Sequence, residues 1–313
     1  MTKKLALFSV IMSLITALFT VGVVGNPVNA DKPDKPPGQE KKNGDNDYPT
    51  TIYLQDIDSH LTSPTGKFRW LDVANQSYSL SYINSYDYTH ASVKVSYAPS
   101  GEALEGLLTA NNMKPNFAYQ VKLSGYPESY PIANENIGLA GRWWQEVWDG
   151  SKWTGGNLNS KGDGISPNPN DSIYYSMKDD PNYRYLGYMV FDYFITDSKG
   201  NASLKFRVDS SYHVLWKTSQ RPATASDGTV KQITFSINPK KSAAYDTRYP
   251  RTTVSIFGEW ERLPVGGIDL APGYYNCDFF LTEESFHGSG GTYAGNWAAA
   301  MGAPIQFEIT RGS

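Results

Sequence analysis

Cysteine is almost absent: Cys277 stands alone in 313 residues, so no disulfide can form within the chain. The fold must therefore stand on its hydrophobic core. Histidine is also scarce. His60, His90, His213 and His287 are scattered, with no H-E-x-x-H run, which argues against a zinc centre. There is no basic excess either. A formal net charge of −3 excludes the cationic face that nucleic acid requires, and no polybasic segment suits an anionic membrane surface. No G-x-S-x-G elbow occurs, and Cys277 lacks the contexts of cysteine proteases, so no nucleophilic constellation is complete. Beyond residue 25 no long apolar run recurs, and the C-terminus carries no hydrophobic tail.

What is present begins with Lys3 and Lys4, the apolar run Leu5 to Gly25, Pro27, and the small residues Val28 and Ala30. That order predicts a secretory signal over residues 1–30, cleaved after Ala30. The apolar run exceeds the usual about 7–15 residues of a signal and approaches the ~20 of a membrane span, so a retained N-terminal anchor is the alternative. In either case the remainder is expected to be secreted or held at the cell surface, with no membrane association beyond that anchor. Removing residues 1–30 takes away two lysines and no acid, leaving 26 basic against 31 acidic side chains, a net −5. Residues 31–47, "DKPDKPPGQEKKNGDND", hold no apolar residue besides proline. Such a segment cannot bury enough surface to offset its ordering entropy and is expected to be a disordered tether.

From Tyr48 the recurring period is two, which marks strands. "YSLSYI" (78–83), "SVKVSYA" (92–98) and "AYQVKL" (118–123) alternate, while "YMVFDYFIT" (188–196) is nearly continuous and reads as a central strand. "DSKGNA" (197–202) then turns into "SLKFRVD" (203–209), a hairpin in which Gly200 and Asn201 tolerate positive φ. Further strands are expected at 212–216, 230–237, 252–258, 274–281 and 304–310. The fullest helix candidate is "GNWAAAM" (295–301). Such a series of short strands joined by Gly, Pro and Asn loops predicts an all-β fold, an antiparallel Greek-key β-sandwich with few or no helices apart from the signal segment. Residues 92–311 would form the main sandwich. Residues 48–91 would add edge strands or a small subdomain, and 126–185 would be a long Trp-rich loop insertion.

That insertion carries Trp143, Trp144, Trp148 and Trp153 beside Arg142, Gln145, Glu146, Asp149 and Asn157. Clustered indoles with hydrogen-bonding neighbours suit a glycan, whose apolar ring faces stack on them. The same side chains would also anchor a loop that lacks ladder bonds. In "NLNSKGDGISPNPNDS" the oxygens of Asp163, Asn168 and Asp171 could hold Ca²⁺, the one cofactor the chain suggests. Lys161 stands where a ligand should be, and no glutamate closes the loop. Asn, Asp, Gly and Pro are also ordinary turn residues. For acid chemistry the candidates are Glu259, Glu283, His213 and His287, since two carboxylates across a cleft would suit glycoside hydrolysis. Asn75, Asn170 and Asn201 occupy N-x-S sequons.

"LAPGYYNC" (270–277) resembles the tyrosine corner of immunoglobulin-like Greek-key sandwiches, in which a tyrosine enters a late strand two residues before a core cysteine. Tyr275 and Cys277 have that spacing. The resemblance implies that Tyr275, Cys277, Phe279 and Leu281 face one side. The second cysteine of such domains is missing, and with it the disulfide between sheets. The mature chain also resembles secreted archaeal and bacterial β-rich proteins, which implies no activity. The expectation is a non-enzymatic surface protein that binds an extracellular glycan or protein through the tryptophan-rich insertion. A secreted polysaccharide hydrolase acting through paired carboxylates is the alternative.

Overall fold

A computed structural model of the chain describes residues 48–57, 69–74, 76–155, 171–208, 211–218, 230–262, 268–284 and 298–311. All of these lie within one compact unit. The fold is all-β. In chain order, β1 is Thr50–Asp56, followed by helix α1 (Leu80–Ser85), β2 (Ser92–Tyr97), β3 (Ser100–Gly101), β4 (Leu104–Asn111) and β5 (Ala118–Gly125). Helix α2 (Glu135–Ala140), β6 (Arg142–Trp148), β7 (Trp153–Gly155) and α3 (Asp171–Met177) come next. The long β8 (Tyr183–Ile195) leads to β9 (Ala202–Val208), β10 (Tyr212–Thr218), β11 (Val230–Ile237), β12 (Thr252–Arg262), β13 (Gly273–Glu284) and β14 (Ala299–Ile309).

An 11-stranded sheet runs β7-β6-β8-β5-β13-β14-β1-β2-β4-β9, with β3 added against β14, while β10-β12-β11 form a separate three-stranded sheet. Apart from the short parallel contact of β3 with β14, the strands pair antiparallel. β1 is an interior strand. Its residues Thr50–Leu54 pair with β2, and Gln55 and Asp56 pair with β14. The edge position expected for residues 48–91 is therefore not where β1 lies. Phe206 on β9, the last strand of the sheet, meets Phe191 on β8 and Phe279 on β13, each with ring centroids 5.6 or 5.7 Å apart. The far end of the sheet thus returns onto its first half and encloses a shared apolar core.

Alternation explains the burial of β2 and β9, which were foreseen, and of β4, which was not. Val93, Val95 and Tyr97 of β2, Leu104, Leu108 and Ala110 of β4, and Leu204, Phe206 and Val208 of β9 all turn into that core. β5 is buried on both faces, as are the last residues of β8. The hairpin expected over 188–209 does not form, because β8 pairs with β5 and β6 whereas β9 pairs with β4. Two local assignments also fail. "YSLSYI" is not a strand, because Ser79 caps α1 by accepting a hydrogen bond from the Tyr82 N–H, and Tyr78, Tyr82 and Tyr86 stack at every fourth residue. Period two in Ser and Leu coexisted with period four in Tyr, and the cap decided between them. The other is the end of "GNWAAAM". Ala299 to Met301 enter β14, bonded to β13 on one side and β1 on the other, so two ladders override alanine's helix preference. Helices α1 and α2 span six residues each and α3 spans seven. Among the described residues no helix is long and apolar enough to cross a membrane.

At "LAPGYYNC" the tyrosine is tied back to the backbone before its strand. Tyr275 Oη donates to the Ala271 carbonyl at 2.5 Å, and the ring lies parallel to Phe307 at 4.8 Å. Gly273 adopts φ +150°, and a Cβ there would fall 2.6 Å from that of Ala133. Tyr275, Cys277, Phe279 and Leu281 are all buried. Burial, and secondarily the neighbouring Asp278, push the Cys277 thiol well above its ordinary range.

Candidate functional site

Within 126–185, the described residues form a wing on the sheet, with two strands and two short helices before β8. In β6, alternation sends Trp143 and Gln145 to one face and Trp144, Glu146 and Trp148 to the other. The first face is closed by α2 and α3. Trp143 is fully buried, stacked on Tyr174 at 3.9 Å and 11°, with Tyr185 edge-on. Its indole N–H donates to Asp171 Oδ1 at 2.8 Å. Gly138 leaves room for this ring, since a Cβ there would lie 2.4 Å from it. Gln145 donates to the Tyr185 hydroxyl, and the Tyr174 hydroxyl donates to Glu135 Oε1 at 2.7 Å. Trp143 is therefore an anchor and not a ligand contact.

The second face stays open. Trp148 and Trp153 lie directly opposite each other across β6 and β7, ring centroids 5.4 Å apart, with Trp148 39% exposed. Opposite Glu146 on β8 stands Arg184, whose Nε donates to Glu146 Oε2 at 2.5 Å. Tyr126 donates its hydroxyl proton to the same oxygen at 2.8 Å. The Arg184 guanidinium carbon sits 4.8 Å from both the Tyr126 and the Trp153 rings, so the two aromatics and the carboxylate hold it in place. Burial and then Glu146 push the Tyr126 phenol up to about 12, so it remains a proton donor across neutral pH. Beside this ledge, past the end of β5, a cleft of ≈ 620 Å³ opens among Tyr126, Glu128, Glu135, Tyr174, Lys178 and Arg184. Its rings, hydroxyls, paired cations and carboxylates form the mixture of apolar walls and few fixed polar groups typical of small-ligand sites. Trp144 is half-buried on the open face. Tyr126 and Arg184 escaped the sequence reading because they lie 17 or more residues from the tryptophan cluster's nearest ends; only the register of β6 with β8 and the ending of β5 bring them there.

The carboxylate candidates are not gathered. His213 and Glu259 lie in the three-stranded sheet, where the register sets Leu215 against Glu259 and His213 against Glu261. Glu283 belongs to β13 of the large sheet, and His287 falls outside the described residues. Glu283 is fully buried. Arg69 grips it bidentately, Nε to Oε2 and Nη2 to Oε1 at 2.7 Å each, and Lys114 Nζ lies 2.6 Å from Oε1. The Tyr88 hydroxyl donates to Oε1 at 2.7 Å, and Trp70 and Phe117 flank the Lys114 ammonium at 4.3 and 4.9 Å. Burial alone would raise the Glu283 carboxyl, but Lys114 and Arg69 together outweigh it and hold it below the usual range. A carboxylate so placed is a permanent anion without solvent access, ill suited to donate a proton or attack a sugar. Next along β13, Glu284 accepts from Gln120 at 2.7 Å on the opposite face. There desolvation drives the Lys122 ammonium down to about 7 although Glu284 opposes it.

Of the calcium candidates, Asp171 opens α3 and is engaged by Trp143, while Asp163 and Asn168 lie outside the described residues. Among the described residues no group of three or more His, Cys, Asp or Glu could hold a metal ion. Asn201 sits half-buried in the β8–β9 turn, its N–H bonded to Asp197; the sequons at Asn75 and Asn170 are outside the description. Comparison with known proteins finds no matching family, no matching curated protein and no matching solved structure.

Proposed function

We propose that this is a non-enzymatic, exported Greek-key β-sandwich protein that binds glycan through the open face of its tryptophan wing. The observation that carries this reading is the ledge of Trp148, Trp153 and Tyr126 around a fixed Arg184–Glu146 pair. Indole and phenol faces offer flat apolar area at low entropic cost, and the ion pair offers donors and acceptors already positioned for hydroxyls. The signal-like order of charge, apolar run and small residues in 1–30 supports export to the cell exterior, and the polar composition of 31–47 supports display on the surface. Hydrolysis has less support, because Glu283 is enclosed by its cations and the register holds it in a different sheet from Glu259.

The test is a glycan array probed with the wild-type protein and with Trp148→Ala. Trp148 is partly exposed, so the variant should keep its fold while its signal falls by roughly tenfold, the weight of about 1.4 kcal/mol at one stacking residue. A wild-type protein that binds no glycan, or a variant that binds equally well, overturns the reading.

A further inference from the structure

We infer that a second cleft, independent of the tryptophan wing, takes an acidic sugar residue. It has a volume of ≈ 550 Å³ and is bounded by α1, the β4–β5 loop, the β8–β9 turn and the segment after β11. Its wall includes Tyr82 and Tyr86, stacked at 5.0 Å and 23°, and both are only partly buried. Lys199 and Lys241 line it from separate turns, and among the described residues neither ammonium has an ion-pair or hydrogen-bond partner. None of the described residues lining the cleft is acidic. The nearby acids are already engaged. Asp87 accepts from His90 Nδ1 at 2.9 Å and from the Thr89 N–H, and Asp197 accepts the N–H groups of Lys199 and Asn201 at 2.8 Å each.

The walls are tied to one another before any ligand arrives. Met113 N–H bonds to the Gly200 carbonyl at 3.0 Å, Asn116 N–H to Asp197 at 3.0 Å, and Ser79 N–H to Ala244 at 2.8 Å. A preformed cleft loses little ordering entropy on binding. The two free ammonium groups call for an anion, and the paired phenol rings call for a flat or puckered ring with an apolar face. The hydroxyls of Ser85 and Ser198 suit a partner that carries hydroxyls itself. A sugar bearing a carboxylate meets all three requirements, whereas a bare inorganic anion meets only the first.

The experiment titrates the full-length protein by calorimetry with glucuronate, glucose and sulfate, at low and high salt. Glucuronate should bind, more weakly as salt rises, and glucose and sulfate should bind at least roughly tenfold more weakly. The double variant Lys199→Glu/Lys241→Glu should lose glucuronate binding while keeping its circular dichroism spectrum, since both side chains are exposed. Equal binding of sulfate and glucuronate would mean an anion site without a ring subsite and would overturn the proposal. So would glucuronate binding that survives the double variant, or a wild-type protein that does not bind glucuronate. Trp148→Ala should leave glucuronate binding intact, which separates this site from the wing.

Discussion

At the scale of single residues, the chain places charge in its interior and neutralises it locally. Glu283 receives four hydrogen bonds from Arg69, Lys114 and Tyr88. Glu283→Gln would keep the volume but strip two buried cations of the carboxylate they share, so a loss of about 3–5 kcal/mol is expected in urea unfolding. The triple variant Arg69→Met/Lys114→Met/Glu283→Leu should lose less than the single change, because no buried charge is left without its counterion. Asp72 behaves in the opposite sense. Its carboxylate accepts from the Ala74 and Gln76 N–H groups and from Tyr245 at 2.8 Å, yet burial outweighs these bonds and raises it from 3.8 to about 6. Between those values the folded state binds the extra proton, so the Asp72 contribution to stability falls as pH rises from about 4 to about 6. In Asp72→Asn that slope should vanish, leaving the variant more stable than the wild type near pH 7 by up to about 3 kcal/mol. Urea midpoints measured on both proteins across that window would check it. Neither network was legible beforehand. Nothing local to Arg69 in "KFRW" or Lys114 in "NMKPNF" says that each meets a carboxylate 169 or more positions away.

At the scale of elements, the period-two strands with one buried face were legible because alternation depends only on which side of the strand meets water. β5 was legible too, and β11 falls at the residues expected. β6 was not, since its three tryptophans fall on both faces and break the apolar–polar alternation. Helix covers one face and solvent meets the other, and this division turned a cluster of four similar residues into anchors and contacts. The turn between β8 and β9 was read correctly at its glycine, but not the hairpin: β9 leaves the turn to pair with β4, while β8 pairs with β5 and β6. Gly200 has φ +79°, and a Cβ would lie 2.0 Å from the Met113 carbonyl oxygen. Gly200→Ala should therefore cost more than about 1 kcal/mol, seen as a lower urea midpoint with an unchanged slope.

At the scale of the whole molecule, the N-terminal segment is part of the core and not an appendage. β1 bridges β14 and β2, Leu54, Tyr78 and Tyr88 are buried, and Arg69 reaches Glu283. A chain beginning at Ser92 is therefore expected to lack a cooperative unfolding transition and a dispersed amide spectrum. Both would persist if residues 48–91 were a separate subdomain. By itself the amino-acid sequence settled the all-β class, the buried face of strands such as β2 and β9, and the inward position of Cys277, because these follow from local periodicity and from the backbone needs of glycine and proline. Which strands become neighbours, which tryptophans are covered, and which charges meet in the interior follow from long-range pairing. Those outcomes depend on packing energies summed over segments far apart in the chain, and no short window of sequence contains them.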